Sequence, residues 1–122
     1  MRRWFDRRFP LGLPPEALPD VLARLRGTPA RLEELLAPLT PAQRTTRHHN
    51  TWSIQENAGH LLDLEPLWEG RMDDLLAGKP ALRAADLENT GTDQAHHNDR
   101  PIDEILAAFR AARHRVVTSL EA

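Results

Sequence analysis

The chain has 122 residues, enough for one domain and few for two, and its 40% hydrophobic content is mainly aliphatic, with three Phe, three Trp and no Tyr. It has no cysteine, which excludes a disulfide framework, a thiolate zinc site and a cysteine nucleophile and is compatible with a reducing cytosol. A formal charge of −2, from 16 basic and 18 acidic residues, argues against a broad surface for polyanions, and no apolar run reaches the length of a membrane span or the core of a secretory signal, so the expectation is a soluble cytoplasmic protein.

The N-terminal arm, residues 1–18, alternates Arg2, Arg3, Arg7 and Arg8 with Trp4, Phe5 and Phe9. Such a mixture grips phosphate and stacks on bases, or else folds its aromatics back onto the domain while the arginines stay in solvent; the second reading is the expectation. The next periodic stretch predicts a first helix over 19–37. Leu18, Leu22, Leu25, Pro29, Leu32 and Leu36 hold alternating four- and three-residue steps across Gly27 and Pro29, as one kinked helix does. Thr40 before Pro41 is biased away from helical geometry and marks the exit.

After a loop with the doublet His48-His49, expected to be solvated, Ser53 and Glu56 have the spacing of a capping box, so a second helix is predicted over 54–77. Ile54, Ala58, Leu61, Trp68, Met72 and Leu75 form its predicted core stripe. Glu65 is the one charge on that stripe, expected at a partly exposed edge unless it serves a pocket. Pro66 predicts a kink near 62–66, which either bends the helix around the core or widens the bundle beside His60. His60 lies next to the stripe. Either it is a boundary histidine with one nitrogen bonded to a carbonyl or water, or it is a metal ligand, and Asp63, three residues on, is then either a solvated acid or its orienting partner.

The polar connection over 78–100 is too long for a bundle turn and is expected to cross the end of the bundle. Its pair His96-His97 is either solvated, or close to a metal held by His60, or at the entrance to its pocket. Pro101 then opens a third helix over 102–121, with Ile102, Ile105, Phe109, Ala112, Val116 and Leu120 on its core face and His114 in solvent. No glycine-rich phosphate loop, HExxH, GxSxG or carboxylate dyad is present.

The residues Trp52, Ser53, Glu56, His60, Leu61, Asp63 and Trp68 resemble the second helix of the DinB-like (DinB/YfiT) superfamily of four-helix bundles. The likeness extends upstream through LRGTPARLEELL and downstream through FRAARHRVV. It implies an all-α, up-down bundle, a single domain over 1–122, and an inward histidine, here His60, that ligates zinc or nickel. It also implies metal-dependent chemistry of the thiol-transferase kind with a low-molecular-weight thiol, or a hydrolase-like activity. The family's last helix, with its pair of histidine ligands, has no counterpart here, which reads either as a C-terminally incomplete, truncated chain or as a short form whose fourth helix is supplied by a partner subunit, so His96 and His97 are the remaining candidates. Three amphipathic helices also leave one face of the core uncovered, which predicts a homo-oligomer, most simply a dimer. The alternative is a non-catalytic helical oligomerisation or binding protein with an incomplete metal site. No binding of duplex DNA is expected, because the arginines of the helices are interspersed with acids.

Overall fold

A 3₁₀ turn at Pro15–Ala17 leads into α1 (Leu18–Leu36), whose second residue, Pro19, sits where the helix has no use for an amide hydrogen. The computed structural model describes residues 6–122, which are helical with no strand among them. Helix α1 runs unbroken through Gly27 and Pro29 and buries Leu22, Pro29 and Leu36 of its predicted stripe, whereas Leu18, at the start of that stripe, is exposed. Thr40 is extended, with ψ of 159°, and it ends one segment only to cap the short α2 (Pro41–Thr45) through a capping box with Gln43.

Ser53 and Glu56 close the predicted capping box at the start of α3 (Ile54–Leu76), which continues through Pro66. The connection holds more structure than its composition suggests. It contains α4 (Thr90–Ala95) and a 3₁₀ turn at His97–Asp99 before α5 (Ile102–Glu121). Pro101 occupies the cap position of α5, one residue before the first helical position.

The core is organised around α5, which packs against both α1 and α3. Its Ile105, Phe109, Ala112, Val116 and Val117 are buried, with Phe109 fully enclosed. Ion pairs Arg110–Glu33 and Arg26–Glu121 tie α5 to α1, and Arg115–Glu69 ties it to α3. Each lies in solvent, where water and salt screen it and its contribution is small.

Helix α3 departs from its predicted stripe. Its buried positions are Gln55, Glu56, Ala58, Gly59, Glu65, Gly70 and Asp74, whereas Ile54 is exposed, Trp68 keeps 38% of its surface and Leu75 keeps 65%. The reason is polar pairing. Glu65, expected at a partly exposed edge or in a pocket beside His60, is instead fully buried because Arg113 of α5 meets its carboxylate at 2.6–3.1 Å while also donating to the Leu25 carbonyl of α1. Asp74 is buried because the Arg83 guanidinium, the Arg83 amide and the Lys79 ammonium all donate to it. These bonds, those from Arg83 first, hold its carboxyl far below the usual carboxylate range. Gly70 makes this possible, because the Arg83 guanidinium lies where a side chain at that position would begin.

The displaced stripe lines an apolar groove of about 270 Å³ formed by Leu25, Trp68, Met72, Leu75, Val116 and Leu120. No helix of the described residues is long and apolar enough to cross a membrane. Trp4 and Phe5, predicted to fold back onto the bundle, lie outside the described residues, while Phe9 is about half exposed.

The α3 capping box carries a pH dependence. Glu56 accepts from Arg47 as well as from Ser53, and those bonds, Arg47 first, lower its pKa from an ordinary 4.5 to about 2. Because the folded value lies below the unfolded one, the unfolded chain binds the extra proton as pH falls. This contribution to stability is therefore complete above about 4.5 and lost on descending towards about 2. Glu56→Gln should lower stability at neutral pH and flatten its pH dependence across that acid window, as read from urea midpoints at several pH values.

Candidate functional site

The N-terminal half of α3 grips the segment 90–100 along its length. Trp52 donates its indole N–H to Asp93 Oδ1 at 2.9 Å, and the Ser53 hydroxyl donates to Asn98 Oδ1 at 2.6 Å. The buried Gln55 amide donates to the carbonyls of His97 and Arg100, each at 2.7 Å. Gly59 leaves room for the His97 ring, whose carbons stand 2.2 Å from where a Cβ would be. The segment holds its shape through two left-handed residues, Asn89 (φ 57°) and His96 (φ 51°), and through Asp86 Oδ2, which accepts from the Gly91 amide at 3.0 Å. Asparagine and histidine are among the residues that tolerate this conformation best.

This docking brings Thr92 over His60. His60 Nδ1 stands 2.9 Å from Thr92 Oγ1, and Thr92 in turn donates to Asp63 Oδ2 at 2.7 Å. The same Asp63 oxygen meets His97 Nε2 at 2.9 Å, and His97 Nδ1 lies 3.4 Å from an Arg100 guanidinium nitrogen. The ring of Trp52 tilts at 49° against that of His60, with centroids 4.9 Å apart. Burial pushes the His60 pKa below its ordinary 6.5, and Asp63 and Asp86 only partly oppose this, so the imidazole is neutral at neutral pH. His60 and Asp63 line a cavity of about 250 Å³ together with Leu64, Leu67, Asp86 and Thr92.

The predicted site residues thus separate. His60 is inward and half-buried at a cavity, and Asp63 serves it as a partner through Thr92 rather than by direct contact. His97, read as solvated or close to a metal, is buried with both ring nitrogens engaged, while His96 is exposed at the end of α4. His48, His49 and His114 are exposed, as predicted. Arg113, beside His114, is buried instead. Thr92, Gln55 and Asp86 carry no sequence signal of their own. Gly59 does: a glycine inside a helix costs about 1 kcal/mol against alanine, and the close approach of another side chain is a reason to keep it.

Among the described residues no group of three or more His, Cys, Asp or Glu side chains could hold a metal ion. The donor set here offers one imidazole with a nitrogen to spare, and a zinc or nickel site ordinarily needs about three protein ligands. These residues alone therefore do not fit a complete metal centre.

A helical domain that presents one inward histidine near the start of its second long helix is the class of protein defined by this fold and site. A family model described as the DinB superfamily matches residues 24–122, and the chain belongs to that superfamily. No curated protein and no solved structure matches it.

Proposed function

We propose that the chain is a divalent-metal-binding member of the DinB superfamily in which His60 supplies one ligand to zinc or nickel, the other donors coming from outside the described residues. A second copy of the chain is the simplest source. The observation that carries this reading is a neutral, half-buried imidazole held through one nitrogen at a cavity that also contains Asp63 and Asp86. A buried histidine kept neutral beside carboxylates is suited to a cation. Among reactions, the superfamily resemblance favours transfer to or from a low-molecular-weight thiol.

The alternative is a non-catalytic helical oligomerisation or binding protein. It is favoured by the missing donors and by the apolar groove at Trp68, Met72 and Leu75, which a second copy would cover. Metal content after tag-free purification, paired with light scattering, separates the two readings. The expected result is weak zinc or nickel binding by monomer, near-stoichiometric metal in a dimer, and loss of that metal in His60→Ala. The double variant His96→Ala/His97→Ala should weaken the metal only as far as it loosens the segment 90–100. Stoichiometric metal indifferent to His60→Ala removes His60 from the site, and a metal-free dimer establishes the alternative.

A further inference from the structure

Counting hydrogens along the line His60, Thr92, Asp63, His97 leaves a single arrangement. Asp63 Oδ2 has two partners, Thr92 Oγ1 at 2.7 Å and His97 Nε2 at 2.9 Å. An ionised carboxylate only accepts, so both partners donate. A threonine hydroxyl has one hydrogen, and here it is spent on Asp63. What Thr92 turns towards His60 Nδ1, at 2.9 Å, is therefore a lone pair, and Nδ1 must carry the hydrogen between them. A neutral imidazole with its proton on Nδ1 has its lone pair on Nε2. His97 is set the opposite way. Its proton is on Nε2, and its Nδ1 lone pair faces the Arg100 guanidinium at 3.4 Å.

We infer that Thr92 and Asp63 are positioning residues that lock His60 in its Nδ1–H tautomer and so reserve the Nε2 lone pair for whatever enters the adjoining cavity. The ring is fixed in direction as well as in protonation. Trp52 bounds one side of it, and Thr92 is carried on a segment that Gln55, Ser53 and Trp52 hold against α3. The adjoining cavity is lined by His60 and by the carboxylates of Asp63 and Asp86, with Asn89 and Thr92 beside them and Leu64, Leu67 and Ala84 completing the wall. Two carboxylates in one lining favour a cation over an anion. The assignment deepens the metal reading in its consequence, because a nitrogen oriented by a hydrogen bond on its neighbour is how a histidine is prepared for ligation. The tautomer itself follows from the hydrogen bonds alone.

The test is a long-range ¹H–¹⁵N correlation spectrum of uniformly labelled, chelator-treated protein at a pH well above the ordinary histidine range, with His60 assigned by its absence from His60→Ala. An unconstrained neutral imidazole prefers its proton on Nε2. The expected spectrum instead shows His60 with a protonated Nδ1 and an unprotonated Nε2. Thr92→Ser, which keeps the hydroxyl, should preserve that pattern, and Thr92→Val should return His60 to the ordinary preference. A wild-type His60 protonated mainly on Nε2, or a Thr92→Val spectrum identical to wild type, would overturn the assignment. The wild-type measurement needs no variant to fold. Zinc added to the same sample separates the two readings: with Nδ1–H established, the absence of any zinc response at Nε2 rejects the metal and leaves the tautomer standing.

Discussion

Glu65→Ala is expected to destabilise the protein by about 3–5 kcal/mol, the range for removing one partner of a buried ion pair. The size of the effect comes from what remains. Arg113 is buried on α5 with its guanidinium turned to the Glu65 carboxylate, and without that carboxylate the acceptor left to it among the described residues is the Leu25 carbonyl at 3.3 Å. A guanidinium does not escape by losing its proton. Its stem is also held, because the charge lies 5.0 Å over the Phe109 ring in the centre of the core. The control is to remove both charges. Glu65→Leu/Arg113→Met replaces the pair with apolar side chains of similar length and should recover most of the loss, because a buried pair spends much of its attraction on its own desolvation. Urea unfolding of the single and double variants gives both quantities. A Glu65→Ala midpoint within error of wild type would mean that Arg113 reaches water, and the three-helix tie through Glu65, Arg113 and Leu25 would then not be closed.

The long helices were legible because their signals are local. Leucine phase crosses Gly27 and Pro29 without a break, a capping box stands at Ser53, and apolar steps run from Ile102 onward; the observed Leu18–Leu36, Ile54–Leu76 and Ile102–Glu121 lie within a residue of the predicted bounds. The buried face of α3 was not legible, for a physical reason. Periodicity ranks residues by apolarity, whereas this helix buries Glu65 and Asp74 because arginines 48 and 9 residues away in sequence arrive to pair with them. Nothing near Glu65 announces Arg113. The same limit applies to the site. His60 and Asp63 stand out as an i, i+3 pair on one helix, but Thr92, which joins them, comes from a polar segment whose composition reads as loop. The doublet His96-His97 shows the ambiguity most clearly, since two identical neighbours end one exposed and one enclosed. The left-handed backbone of His96 turns the chain there, and Gly59 opposite leaves the space that His97 fills.

The second large effect is expected at that space. In most helices Gly→Ala stabilises by up to about 1 kcal/mol, because alanine has the better propensity and the unfolded chain loses less freedom. At Gly59 the sign should reverse, with a net loss of about 1–3 kcal/mol from overpacking. A Cβ there would stand 2.2–2.5 Å from three ring atoms of His97. That ring is fully enclosed and tied to Asp63 and Arg100, so it has little room to yield. Gly70→Ala provides the contrast. Its Cβ would meet the far end of Arg83, a flexible side chain that is about half exposed, so a smaller loss is expected despite a similar close approach of 2.1 Å. A double-mutant cycle isolates the cause: in a His97→Ala background the obstruction is gone, and Gly59→Ala should return to neutral or stabilising. The displacement should also reach the site, because moving His97 takes one donor from Asp63 and loosens the segment that carries Thr92. Amide hydrogens of 90–100 should then exchange faster in Gly59→Ala than those of α5. Stabilisation by Gly59→Ala in the wild-type background would show instead that the segment rides on α3 without being locked to it.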